Sequence, residues 1–360
     1  STGAGFIEAL GSASLIKRLL MMADMSPIAK AYATDGFHGV LPLLKVEPFL
    51  IKKATPTVEA VHSRTESIDF LSTSAPGLLS ATMAIAGTVF ETLLSQWSHA
   101  VKSSLLLEIF QDYNRVSDRM RKLVIYRGKF TSYIGKLAFL EEAAGKVRVI
   151  AMLDALSQWV LKPLHDVCFS ILKEIPQDGT FDQTKPLIKL LSSPRLKGLY
   201  SYDLSAATDR LPVSIQEGIL SHLIGPELSG IWRRLLVQRF YLITERRIRT
   251  GEVTYSTGQP MGAYSSWGML ALTHHLIVQW AAHRAGIIEE GRWFALYAIL
   301  GDDIVIGCKR TAEEYLKIME ELDVRVNPSK SLVSHTGEVA EFAKRFFVKK
   351  VDMSPVSLKE

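Results

Sequence analysis

The sequence predicts an α+β fold whose later half builds a ferredoxin-like sheet. Three observations carry that expectation. Apolar strand signals recur at 198–204, 294–300 and 304–306, and helical patterns fill the intervals between them. From residue 198 the order runs strand, helix, helix-rich insert, strand–turn–strand, helix, strand, which is the βαββαβ plan. With 360 residues the chain is long enough for two or three domains, and a hydrophobic fraction of 48% supplies material for packed interiors.

Two apolar stretches come early and late in the chain, Pro76–Phe90 and Trp267–Ala282. Both fall short of the ~20 residues a membrane-spanning helix needs. They read as buried core helices, so no stable membrane span is expected. Proline and glycine interrupt regular structure at Pro176–Gly179, Ser192–Pro194 and Gly225–Pro226. The strand at 198–204 alternates in the Tyr200/Tyr202 register. Pro212 suits the first residue of a helix through about Leu223, because its missing N–H is a donor that a helix start leaves unpaired anyway. Ile248–Tyr255, with Thr250-Gly251 at its middle, reads as a β-hairpin. A helix is expected from Gly262 to Arg284. Within it His274 and His275 point ~100° apart, so one is expected packed and the other partly exposed, neither with a catalytic role. Phe294–Leu300 and Ile304–Ile306 are strands joined by Gly301-Asp302-Asp303. Thr311 precedes an amphipathic helix to about Leu322, with Tyr315, Leu316, Ile318, Met319 and Leu322 facing inward. A last hairpin spans Ala340–Lys350.

Charge is mildly basic: 42 Lys and Arg against 37 Asp and Glu give +5 and a pI near 9. That suits a polyanionic partner without identifying one. The distribution says more. Between Asn114 and Val149, nine basic residues (Arg115, Arg119, Arg121, Lys122, Arg127, Lys129, Lys136, Lys146, Arg148) oppose Asp118, Glu141 and Glu142. A second cluster holds Arg233, Arg234, Arg239, Arg246, Arg247 and Arg249 against Glu245. One such cluster is ordinarily a solvated helix face. Two of them bracketing an acidic centre fit a phosphate-binding channel. Cys168 and Cys308 alone cannot form a disulfide framework, and both read as small core residues. Ser1–Ala13 lacks the basic start and apolar run of a secretory signal.

The acidic centre is the sharpest feature. Aspartate is a poor strand former, yet Asp302 and Asp303 stand between two apolar strands. Alone, Gly301-Asp302-Asp303 reads equally as a solvent-facing hairpin turn. Asp203, at the end of another apolar strand in Tyr202-Asp203-Leu204-Ser205-Ala206-Ala207-Thr208-Asp209-Arg210, changes that balance. If the strands are neighbours, Asp203, Asp302 and Asp303 meet at one sheet edge. Clustered carboxylates repel one another unless a cation neutralises them, and hard oxygen ligands select Mg²⁺ or Mn²⁺. Paired ions of that kind activate a hydroxyl and stabilise a leaving phosphate oxygen, as in polymerases. Ser256 to Gly262 adds a loop whose glycines, Gly258 and Gly262, let backbone approach a ligand closely.

These residues, in order, carry a resemblance. Asp203 with Asp209, Ser256-Thr257-Gly258, Gly301-Asp302-Asp303 and Asn327-Pro328-Ser329-Lys330 resemble motifs A to D of RNA-dependent RNA polymerases. The wording at 203–210, 258–262, 141–149, 161–166 and 178–183 is similar to that of the mitoviruses, capsidless positive-strand RNA replicons of fungal and plant mitochondria related to the leviviral replicases. The matching blocks run from about Gly135 to Phe347. The resemblance implies a right-hand polymerase: fingers over 1–195 with a basic motif F strand near 136–150, a palm over 196–335 with a fingers insert near 225–256, and a motif E hairpin over 336–360 that begins a largely absent thumb. It further implies that Asp203, Asp302 and Asp303 hold the metals and that Lys330 is the general acid. Asp209, Lys146, Arg148, Ser256, Thr257 and Gly258 would bind the nucleotide. Lys136, Arg246, Arg247, Lys344 and Arg345 would bind RNA. Its partners would be a single-stranded RNA template, the nascent RNA and nucleoside triphosphates, acting on a monomer in the host mitochondrion.

The pattern departs from many positive-strand polymerases where motif B carries an asparagine. Here the stretch reads Ala263-Tyr264-Ser265-Ser266-Trp267, and either Ser265 or Ser266 stands in. A reverse transcriptase shares the carboxylates but places a bulky residue after the first and an aromatic before the pair; Ser205-Ala206-Ala207 and Gly301 disfavour it. A silent RNA-binding relic, such as a viral fragment in a host genome, is the other alternative, and the intact carboxylates argue against it.

Overall fold

The computed structural model describes residues 13–48, 76–126, 134–142, 145–245, 248–289 and 291–354. In chain order its elements begin with helices α1 (Ala13–Met22), α2 (Pro27–Val40), α3 (Pro76–Ile85), α4 (Val89–Ala100) and α5 (Leu105–Tyr126). Strands β1 (Gly135–Glu141) and β2 (Val147–Leu153) precede α6 (Ala155–Glu174) and α7 (Lys185–Leu191). Then come β3 (Leu199–Asp203), α8 (Ala207–Arg210), α9 (Val213–Ile224), α10 (Pro226–Val237), β4 (Tyr241–Glu245), β5 (Ile248–Val253) and α11 (Ser266–Arg284). The chain closes with β6 (Tyr297–Leu300), β7 (Asp303–Ile306), α12 (Lys309–Glu321), β8 (Leu332–Ser334), β9 (Val339–Phe342), β10 (Arg345–Val348) and β11 (Val351–Asp352). The fold is α+β. The chain divides into two compact units, one from 1–33, 168–223 and 267–360, the other from 34–167 and 224–266.

The first unit is built on an antiparallel sheet in the order β6-β7-β3-β8. Three of these strands, β3, β6 and β7, are ones the sequence predicts; the fourth, β8, is not predicted, and the hairpin expected to close the βαββαβ plan forms a separate sheet instead. Alternation along β3 puts Leu199, Ser201 and Asp203 on one face and Tyr200 and Tyr202 on the other. On the first face, Leu199, Ala298 and Val305 pack against Leu187, Leu190 and Leu191 of α7 and against Ala340, Phe342 and Phe347 of the β9–β10 hairpin. Each leucine so buried stabilises by about 2 kcal/mol. On the second face, Tyr202 stacks on Tyr315 of α12 with ring centroids 6.0 Å apart. In α12, Tyr315, Ile318 and Met319 are buried as expected, whereas Leu316 and Leu322 are half-buried. The β6 edge is covered by backbone of 177–179: Gly179 N–H donates to the Ile299 carbonyl at 2.7 Å, and Ile299 N–H to that of Gln177 at 2.8 Å.

The expected hairpin over 340–350 is the β9–β10 pair, extended by β11. Its turn uses Ala343 and Lys344 at φ 54° and 61°, the left-handed pair that a tight hairpin turn requires.

The second unit contains the sheet β2-β1-β4-β5 and a core with Trp97, Trp159, Trp232 and Tyr241 fully buried. The hairpin expected to turn at Thr250-Gly251 is displaced. Both residues lie inside β5, which pairs with β4, and Gly251 stands opposite Ile243 where the register shifts. Glycine here serves a bulge rather than a turn.

The helix expected from Gly262 begins instead at Ser266. Gly262 and Ser265 hold φ 115° and 72°, conformations that cannot continue a right-handed helix. Apolar residues occupy every face of α11, and every residue from Gly268 to Gln279 is buried, although Trp267 is 40% exposed. Accordingly His274 and His275 are both buried, at 1% and 0% exposure, and the expectation that one is exposed fails. Cys168 is a core residue, but Cys308 is partly exposed. Among the described residues no helix is long and apolar enough to cross a membrane.

Candidate active site

Asp203 is the last residue of β3 and Asp303 the first of β7, and the register sets them directly opposite each other. Asp302 occupies the turn before β7, where its carbonyl accepts from Leu204 N–H at 3.3 Å. Ligand oxygens of Asp203, Asp302 and Asp303 lie within 4.8 Å of one another. Like charges opposed across a sheet are destabilising, and the effect is visible in Asp303. Its carboxyl is pushed up to about 7, by burial first, then by Asp302 and Asp203.

A fourth group joins them. Asn327 N–H donates to the Asp203 carbonyl at 2.8 Å and Ser205 N–H to that of Arg325 at 2.8 Å, which pins this segment to the end of β3. Asn327 then caps a 3₁₀ turn, Pro328–Lys330. That turn delivers Lys330 Nζ to 3.1 Å from Asp203 Oδ2. The hydrogen bond to Asp203 raises the Lys330 ammonium above its usual range. Three hard oxygen donors, mutually repelling and partly buried, are the set a small divalent cation takes.

Two buried groups behind the turn give no signal of a role in the sequence beyond being polar in an apolar helix. His274 Nδ1 lies 2.7 Å from the Gly301 carbonyl and Nε2 lies 2.7 Å from the Tyr315 hydroxyl. Burial drives this imidazole down to about 4. His275 bridges the Tyr297 hydroxyl at 2.8 Å and Asp178 Oδ2 at 2.9 Å. Gly301 itself has φ 59°, and a Cβ there would stand 2.4 Å from the Trp267 ring.

The remaining sequence-derived residues distribute as follows. Asp209 lies on α8, with its carboxyl raised by burial. In the second unit, Ser256 and Thr257 are exposed and Gly258 is buried. In that unit too, Lys136 is half-buried in β1, Lys146 is exposed, and Arg148 pairs with Glu142 at 2.6 Å. Lys344 is exposed in the β9–β10 turn, and Arg345 pairs with Asp352 at 3.0 Å. Arg246 and Arg247 lie outside the described residues. Ser265 accepts a hydrogen bond from Trp232 Nε1 at 3.0 Å, and Ser266 opens α11.

Arg239 departs from the expected phosphate channel. It is 2% exposed, donates to Asp154 at 2.7 Å and to Ser157 at 2.8 Å, and lies over the Phe90 ring. Its charge is spent on a buried ion pair, so it belongs to the core of its unit.

The model of the family described as mitovirus RNA-dependent RNA polymerase matches residues 44–360. The chain belongs to this family. It is 44% identical over 221 residues to the RNA-directed RNA polymerase of Cryphonectria parasitica mitovirus 1, covering 61% of this chain and 26% of that protein. It therefore spans about a quarter of the length of that relative. It is also 44% identical over 193 residues to an uncharacterized mitochondrial protein of Arabidopsis thaliana, covering 53% of this chain and 76% of that one. Among solved structures, the RNA-dependent RNA polymerase of a human picorbirnavirus aligns at TM-score 0.47 and 15% identity, over 60% of this chain and 43% of that chain.

Proposed function

We propose that this chain carries the catalytic centre of a template-directed RNA polymerase that uses two-metal nucleotidyl transfer. The observation that supports it most is the convergence of Asp203, Asp302 and Asp303, brought from two neighbouring strands to within 4.8 Å. In this reading the three carboxylates hold Mg²⁺ or Mn²⁺. Bound there, such ions activate the attacking hydroxyl of the growing strand and stabilise the leaving pyrophosphate oxygen. In this reading Lys330, whose ammonium lies 3.1 Å from Asp203 Oδ2, gives its proton to that leaving group. Ser205-Ala206-Ala207 is small and leaves room for a ribose 2′-hydroxyl, which Asp209 senses from α8. Ser256, Thr257 and Gly258 follow the template and new base pair. Lys146 and Arg148 neutralise the triphosphate, and Lys136, Arg246, Arg247, Lys344 and Arg345 neutralise RNA phosphates. With Ser265 committed to Trp232, Ser266 takes the place of the motif B asparagine. The substrates are an RNA template and nucleoside triphosphates, and the setting is the mitochondrion.

A second reading is that such a chain persists as a silent RNA-binding relic. One substitution separates the two. Asp302→Asn keeps size and hydrogen bonding but removes a charge and weakens metal coordination. Nucleotide incorporation on a primed RNA template in Mg²⁺ is expected to fall by several orders of magnitude, with RNA affinity and melting temperature retained. Equal incorporation by both proteins overturns the role of Asp302. No incorporation by either, with RNA still bound, favours the relic.

A further inference from the structure

The Gly-Asp-Asp turn is gripped from behind by one face of α11. Trp267 and His274 are seven residues apart, two helical turns, so they share a face. The far edge of the Trp267 ring stands where a Gly301 side chain would, 2.4 Å from the position of that Cβ, and its indole N–H reaches Thr180 Oγ1 at 3.4 Å. His274 takes the peptide oxygen of the same glycine at 2.7 Å. A carbonyl can only accept, so Nδ1 carries the proton, and Nε2 accepts from the Tyr315 hydroxyl at 2.7 Å. The ladder continues. Tyr315 stacks on the His274 ring at 5.8 Å and on Tyr202 at 6.0 Å, and Tyr202 immediately precedes Asp203. Rings thus tie the turn bearing Asp302 to the strand bearing Asp203.

We propose that His274, supported by Tyr315 and Trp267, is a positioning residue that fixes the Gly301 peptide and so the direction of the Asp302 and Asp303 carboxylates. This deepens the polymerase reading above and rests on it. A packing role alone would be served by an apolar side chain. An imidazole at 1% exposure is costly unless both nitrogens are paired, and here both are paired, one to the peptide that leads into the carboxylates. Partners that orient metal ligands from behind typically change metal affinity by ~10–100-fold when lost.

The two amide replacements separate the nitrogens. His274→Asn places its amide nitrogen near the position of Nδ1 and keeps a donor for Gly301. His274→Gln reaches the position of Nε2, keeping a partner for Tyr315 but losing Gly301. Mn²⁺ binding to the whole chain is read by electron paramagnetic resonance, amide exchange over 297–306 by mass spectrometry, and folding by thermal melting. His274→Gln is expected to weaken Mn²⁺ about tenfold and to speed exchange at the turn, while His274→Asn stays within about twofold of wild type on both. Equal loss in the two variants, or no loss in His274→Gln, overturns the proposal. If His274→Gln fails to fold, Tyr315→Phe removes only the hydroxyl that orients the ring; unchanged exchange at the turn then counts against the clamp. If the wild type binds no Mn²⁺, the metal reading fails, and the exchange data alone decide whether His274 holds the turn.

Discussion

At neutral pH Asp303 stands near its own midpoint, about 7 against an ordinary 3.8, because burial and then the charges of Asp302 and Asp203 disfavour its anion. The sign of its linkage to stability follows. Between the two values the folded protein holds a proton that the unfolded chain has released, so stability is fully present below about 3.8 and is lost as pH rises through about 7. In metal-free buffer this group is expected to contribute a falling melting temperature across that window. Asp303→Asn should flatten its share of the fall, and Mn²⁺ added at pH 7.5 should raise the melting temperature of wild type more than that of the variant. A variant whose pH profile and Mn²⁺ response both match wild type would show that Asp303 titrates normally. Lys330 opposes the effect by lowering Asp303, so Lys330→Gln should carry the wild-type fall to higher pH.

The Gly301 turn shows what an element needs that its residues do not announce. The apolar runs around it made β6 and β7 legible, and with β3 they made the sheet legible, because buried strands read as short apolar segments whatever their partners. Asp203 and Asp303 could be expected to meet because both end such strands. The support behind them was not legible. Trp267, His274 and His275 sit in a helix that is apolar on every side, where periodicity carries no direction. The Gln177–Gly179 segment joins the β6 edge through backbone atoms, which side-chain patterns do not encode. The start predicted for α11, at Gly262, falls four residues early for a similar reason: the apolar pattern does not mark where the helix begins, and positive φ at Gly262 and Ser265 is a tertiary demand. Gly301→Ala tests the tight turn directly. Its left-handed backbone costs about 1–2 kcal/mol for any other residue, and the new methyl must displace the Trp267 ring. Urea denaturation should show a loss above that backbone cost. Adding Trp267→Ala should recover the steric share but not the backbone share; strict additivity of the two losses would mean that the ring never blocked the site.

On the scale of the whole molecule, a net charge of +5 is too small to bind RNA as a diffuse field, so affinity must come from particular unpaired cations. The structure sorts them. Arg239 is consumed by Asp154, and Arg148 and Arg345 are shared with Glu142 and Asp352. Lys146 and Lys344 are exposed, one in each unit, and no ion pair with an acidic side chain is found for either among the described residues. Each phosphate neutralised on a single strand releases counterions, so the log of affinity falls with the log of salt by about 0.7 per contact. Fluorescence anisotropy with a labelled single-stranded RNA across a potassium chloride series reads that slope. Lys146→Gln and Lys344→Gln are each expected to reduce it by about 0.7, and together by about 1.4, if both touch phosphate. Arg239→Gln should act differently, lowering the melting temperature of its unit by stranding a buried Asp154 carboxylate, while leaving the slope of the still-folded protein unchanged. A slope indifferent to both lysines would place the RNA elsewhere on the chain. A slope that drops with Arg239→Gln in folded protein would instead mean that the buried pair opens to take phosphate.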